Sequence, residues 1–113
     1  MNKEDRNKID LLINKAYAKL IEVFNYQEGT PDYKDVYRTM RVIRGDAVSY
    51  LDYYMKYYMG VFEGNFLNSF FDEFGSFPKK EQITYIQDSF EKKYHNFIDI
   101  AKEYSKKNSK KDL

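Results

Sequence analysis

A chain of 113 residues without cysteine has the length of one domain, and it excludes disulfides, thiolate metal sites and cysteine chemistry. Lys and Arg number 19 against 18 Asp and Glu, which argues against a surface built as a whole to hold nucleic acid. Two prolines and five glycines are too few for an all-β domain of many tight turns, and no apolar run approaches the roughly 18–20 residues of a membrane-spanning helix.

The charged stretch from Met1 to Lys8 leads into no apolar segment, so the expectation is no secretory signal and a cytoplasmic protein. A first helix is predicted from about Lys3 to Gln27. Ile9, Leu12, Ile13, Ala16, Leu20, Val23 and Phe24 recur at spacings of three and four and form one apolar stripe. Asn2 can cap it, while Glu4 and Asp5 suit the positive end of its dipole. Glu28-Gly29 ends it.

Thr30-Pro31-Asp32 signals a second start, with a capping hydroxyl followed by proline at the first helical position. The predicted second helix is long, about Pro31 to Met59. Its stripe is Val36, Met40, Ile43, Ala47, Leu51, Tyr54 and Tyr58, and it passes Gly45 without a phase break. Gly60 and Gly64 should loosen the chain. Asn65 can then cap a short third helix, Phe66 to Phe74, with Gly75 as the residue just past its end.

Ser76-Phe77-Pro78 reads as the start of a fourth helix, with Pro78 in its first turn. Ile83, Ile86, Phe90, Tyr94, Phe97, Ala101 and Tyr104 share one face of it. The pattern fades near Ser105, and the basic tail from Lys106 to Leu113 is expected to be disordered. The expected fold is all-α: a single domain over residues 1–105, built as an antiparallel helical bundle of three long helices plus one short helix.

The aromatics concentrate late in the chain. Tyr50, Tyr53, Tyr54, Tyr57, Tyr58, Phe62, Phe66, Phe70, Phe71, Phe74 and Phe77 all fall within residues 50–77. At about 100° per residue, the end of the second predicted helix is apolar over more of its circumference than one packing face requires. Two readings follow. Either the short helix folds back and makes these rings core, or part of the arc meets another chain, a use to which tyrosine is suited. On the second reading Tyr50, Tyr53, Tyr57 and Met59 are the expected anchors.

Reactive groups are sparse. Lys34, Arg38, Arg41 and Arg44 share a face of the second predicted helix and are candidates to contact phosphate or an acidic partner, although Asp35 and Asp46 weaken the field. Their ordinary reading is a solvated face with intrahelical ion pairs. His95 aligns with Asp88, Glu91 and Asp99, but opposite the apolar stripe, where a plain solvent face is the better reading than a metal site. Gly60-Val61-Phe62-Glu63-Gly64 is not followed by the Lys-Ser/Thr of a phosphate-binding loop. Asp72-Glu73 is the one carboxylate pair set among aromatics. No catalytic, cofactor-binding or metal residue is assigned, and no cofactor, membrane or small-molecule substrate is expected.

The sequence therefore points to a small non-enzymatic interaction protein: an adaptor, regulator or inhibitor. It would bind a protein partner or itself through an aromatic-rich helical surface. Richness in Lys, Asn, Ile and Tyr accompanies AT-rich bacterial and phage genomes, which suits an accessory protein of that origin. The alternatives are a nucleic-acid-binding helical protein using the basic stripe, and a structural subunit of a homo-oligomer such as a dimer.

Overall fold

The computed structural model describes the backbone of residues 1–28, 39, 43 and 50–111, and side chains for 1–27, 39, 43 and 55–106. Three helices carry most of it: α1 (Lys3–Glu28), α2 (Tyr50–Phe74) and α3 (Lys80–Lys111). No strand occurs among the described residues. The protein is elongated, 53 × 24 × 23 Å, as helices of 25 to 32 residues require at about 1.5 Å per residue.

Helix α1 forms where its stripe predicts. The Asn2 side-chain oxygen accepts the Asp5 backbone N–H at 2.8 Å, satisfying one of the orphan donors of the first turn. Ile9, Ile13, Ala16, Leu20 and Phe24 are buried. Leu12 and Val23 pack partly buried against them.

Helix α2 departs from the sequence reading. There is no separate short helix, because residues 66–74 are the end of a continuous helix that begins at Tyr50 and does not stop at Met59. Gly60 and Gly64 lie inside it and do not loosen it. Each glycine costs a helix interior about 1 kcal/mol relative to Ala. Tyr58, Phe62, Phe66 and Phe70, spaced by four across both glycines, are all buried. A fully buried aromatic of this size contributes about 1.5–3 kcal/mol, so tertiary burial outweighs local propensity.

The helix ends as expected. Gly75 takes φ +73°, and its N–H donates to the Phe71 carbonyl at 2.7 Å. That is the left-handed cap which an L side chain resists.

Helix α3 begins later than the sequence suggests, since Pro78 precedes the helix instead of occupying its first turn. Lys79 is the cap. Its N–H donates to Gln82 Oε1 at 2.8 Å, and its carbonyl accepts the Ile83 N–H at 2.8 Å, the reach-back half of a capping box. The helix also continues past Ser105 to Lys111, so the stretch expected to be a disordered tail is helical to that point. Lysine is a good helix former and does not stop a turn that a packed stripe has started. Thr39 and Ile43 are helical, and Ile43 is exposed, against its place in the predicted stripe. Gly45 and the unbroken passage of the stripe across it lie outside the described residues.

One core joins the helices. Phe24 meets Tyr58, Phe97 and Tyr104 edge-on, with ring centroids 4.8, 5.3 and 4.8 Å apart. Phe62 and Phe66 of α2 pack on Phe90 of α3 at 4.7 and 5.0 Å. The edge-to-face pairs among these add about 0.5–1.5 kcal/mol each beyond area burial. The Tyr58 hydroxyl donates to buried Gln27 Oε1 at 2.8 Å. Near the other end of α1, Lys8 reaches Glu73 at 3.5 Å, and the Met1 amino group lies 3.7 Å from Glu81.

Candidate functional site

Core packing uses the face of α2 that carries Tyr58, Phe62, Phe66 and Phe70. Rings at other positions cannot turn inward on the same helix, and these define the exposed apolar surface. Leu67 is 40% exposed, Phe71 46%, Phe77 67% and Ile83 44%. Phe71 and Phe77 lean together across the Gly75 turn, with centroids 5.4 Å apart. Ile83 was expected on the buried face of its helix. It is half open because no described element covers the first turn of α3 on that side.

Leu67, Phe77 and Ile83 frame a groove of about 500 Å³ between the second half of α2 and the first half of α3. Phe66, Ile86 and Phe90 belong to its wall from the core side, and Leu67, Phe77 and Ile83 from the solvent side. Glu63 and Glu91 are the charged residues on the wall. Glu63 accepts a hydrogen bond from the Tyr94 hydroxyl. Burial, and then donation to the Glu63 carboxylate, holds that phenol well above its ordinary range. The groove thus offers an apolar bed with anionic charge beside it, and its volume is that of a binding cleft.

A second, polar cleft lies between α1 and α3, lined by Asp10, Asn14, Ser89, Lys92, Lys93 and Asn96 beside Ile13. Two of its three charged residues are engaged. Asp10 accepts from the Tyr85 hydroxyl at 2.6 Å, and Lys93 Nζ sits 4.9 Å over the Tyr17 ring. Charges of both signs on one wall leave little field for a charged ligand.

The expected anchors separate. Met59 is 7% exposed and belongs to the core, so it has no face to offer a partner. Tyr57 is exposed beside Tyr58, their rings 4.9 Å apart. Tyr50 and Tyr53 lie on α2, and their side chains are outside the described set. Lys34, Arg38, Arg41 and Arg44 are outside the described residues altogether. His95 is exposed, 3.9 Å from Glu91, and no three His, Asp or Glu side chains converge as metal ligands among the described residues. Asp72 and Glu73 are exposed, and Glu73 is paired with Lys8.

The sequence reading did not single out Leu67 or Ile83 as surface residues, and it named Phe71 and Phe77 only within the aromatic run. Their signal was present: Leu67 and Phe71 fall off the four-residue spacing that marks the buried side of α2. No family model, curated protein or solved structure matches the chain. No helix among the described residues is long and apolar enough to cross a membrane.

Proposed function

We propose that this chain is a small non-enzymatic interaction protein, an adaptor, regulator or inhibitor that acts by binding a protein partner or itself. The observation that carries the reading is the groove between α2 and α3, where Leu67, Phe77 and Ile83 stand exposed around an apolar bed. Contiguous exposed apolar surface of this kind marks interaction sites. Its geometry suits an apolar segment laid between two helices, and Glu63 and Glu91 favour a basic residue in that segment. A cytoplasmic accessory protein of bacterial or phage origin fits the same reading.

We read the architecture as an antiparallel helical bundle, with α2 running against α1 and α3. In support, Lys8 near the start of α1 meets Glu73 at the end of α2, while Gln27 near its end meets Tyr58. Phe24 of α1 meets Tyr104 near the far end of α3.

The test is affinity capture from source-cell lysate by the wild-type chain and by the double variant Phe77→Ser, Ile83→Ser, with nuclease treatment in parallel. The expected result is a protein retained by the wild type, lost with the variant and indifferent to nuclease. Identical capture by both chains, or capture abolished by nuclease, would sink the proposal.

A further inference from the structure

Helix α2 has a second exposed face, which meets the groove only at Leu67 and which the core does not use. Tyr57, Gly60, Gly64, Leu67 and Phe71 follow one another at spacings of three and four, and all five are exposed. That spacing is the seam by which one helix packs along another. A Cβ added at Gly60 or Gly64 would meet nothing within 4 Å, so both glycines are hollows open to solvent. In a helix interior each costs about 1 kcal/mol relative to Ala, and no described side chain fills either hollow.

We infer that a second copy of this chain packs its α2 antiparallel along this seam; the inference rests on reading α2 as an interaction surface. Seam positions alternate in an antiparallel pair, so a position of one type faces the other type across the interface. Here that places Leu67 of each copy over Gly64 of the other, and Phe71 over Gly60. A large side chain meets a hollow in four successive layers, and the missing side chains let the two helices approach closely.

Charge agrees with this direction. The last turn of α2 contains no basic residue, and Asp72 stands exposed there. The antiparallel register brings the exposed Lys56 of one copy level with the carbonyl end of the other's α2, a turn from Asp72. Cations are favoured at that end of a helix dipole. A parallel pair would set Lys56 against Lys56 and Asp72 against Asp72. Antiparallel pairing is therefore preferred by both shape and charge.

Sedimentation equilibrium tests the inference on the full chain. The wild type should dimerise with concentration. Gly64→Leu should weaken the dimer at least about tenfold, while the dilute monomer melts no lower than the wild-type monomer. That combination separates a lost interface from a damaged fold. Direction is read by disulfide trapping, which has no background because the chain lacks cysteine. A mixture of Gly60→Cys and Phe71→Cys chains should form the mixed disulfide in preference to either homodimer.

A wild type that stays monomeric at high micromolar concentration overturns the inference. So does a Gly64→Leu dimer of unchanged affinity, or a preponderance of like-with-like disulfides. The groove variant Phe77→Ser, Ile83→Ser should still dimerise. A monomeric wild type that captures a partner through the groove would defeat this inference and leave the proposed function standing. A dimer whose groove variant captures the same proteins would do the reverse.

Discussion

Phe66 and Phe77 come from one aromatic-rich stretch, yet the structure assigns them opposite roles, and alanine at each should separate them. Phe66 is 1% exposed and packs on Phe70 and Phe90 at 5.8 and 5.0 Å. Phe→Ala in a core costs about 3–5 kcal/mol, the spread reflecting how far the site can relax. Phe66 borders the groove, where water can enter the space the ring leaves, so about 3 kcal/mol is expected. Phe77 is 67% exposed. Full burial of such a ring is worth about 1.5–3 kcal/mol, so one third covered gives about 0.5–1. In urea, with a slope of about 1.5 kcal/mol per molar, Phe66→Ala should lower the midpoint by about 2 M and Phe77→Ala by well under 1 M. Partner capture should respond the other way, falling with Phe77→Ala. Equal destabilisation by the two substitutions would refute the assignment of Phe77 to the surface.

Gly75→Ala should destabilise by about 1–2 kcal/mol although open space surrounds the site, because φ is +73° there; an unchanged thermal midpoint would contradict the left-handed cap. Asn2→Ala removes the acceptor of the Asp5 N–H and should cost about 1 kcal/mol, seen as faster amide exchange confined to the first turn of α1. Tyr94, Tyr17 and Tyr85 all have raised pKa values: Tyr94 chiefly by burial, Tyr17 by burial, and Tyr85 chiefly by donating to Asp10. The unfolded chain ionises these phenols first, so their contribution is complete below about pH 10 and is lost as pH rises above it. Denaturation followed against pH should show that loss, and Tyr94→Phe should reduce it; a stability profile flat to high pH would exclude both the burial of Tyr94 and Tyr17 and the Tyr85–Asp10 hydrogen bond.

Much of the fold was legible before any packing was known. The stripe of α1, its Asn2 cap, the Gly75 cap and the run from Ile86 to Tyr104 all follow from local chemistry and a 3.6-residue period. Helix α2 was misjudged for a specific reason. Gly60 and Gly64 are unfavourable locally, and their cost is overcome only by burying Tyr58, Phe62, Phe66 and Phe70, which requires the other helices to be in place. Continuation of α3 to Lys111 likewise follows from a helix already anchored by Phe97 and Ala101.

The surplus of apolar surface was legible in the sequence, but which side chains stay outside was not. Aromatic excess between residues 50 and 77 is a property of composition and period, and it marked α2 as holding more apolar surface than one face can bury. Which rings remain outside depends on where α1 and α3 touch that helix. Met59 was drawn into the core because it lies beside Tyr58 on the packed face, while Phe77 was left in solvent because it follows the Gly75 turn. The sequence by itself determined an all-helical chain with surplus aromatic surface, since both are sums over local residues. Tertiary structure alone decided the groove and the hollow seam, because exposure is a property of the assembled helices and not of any residue within them.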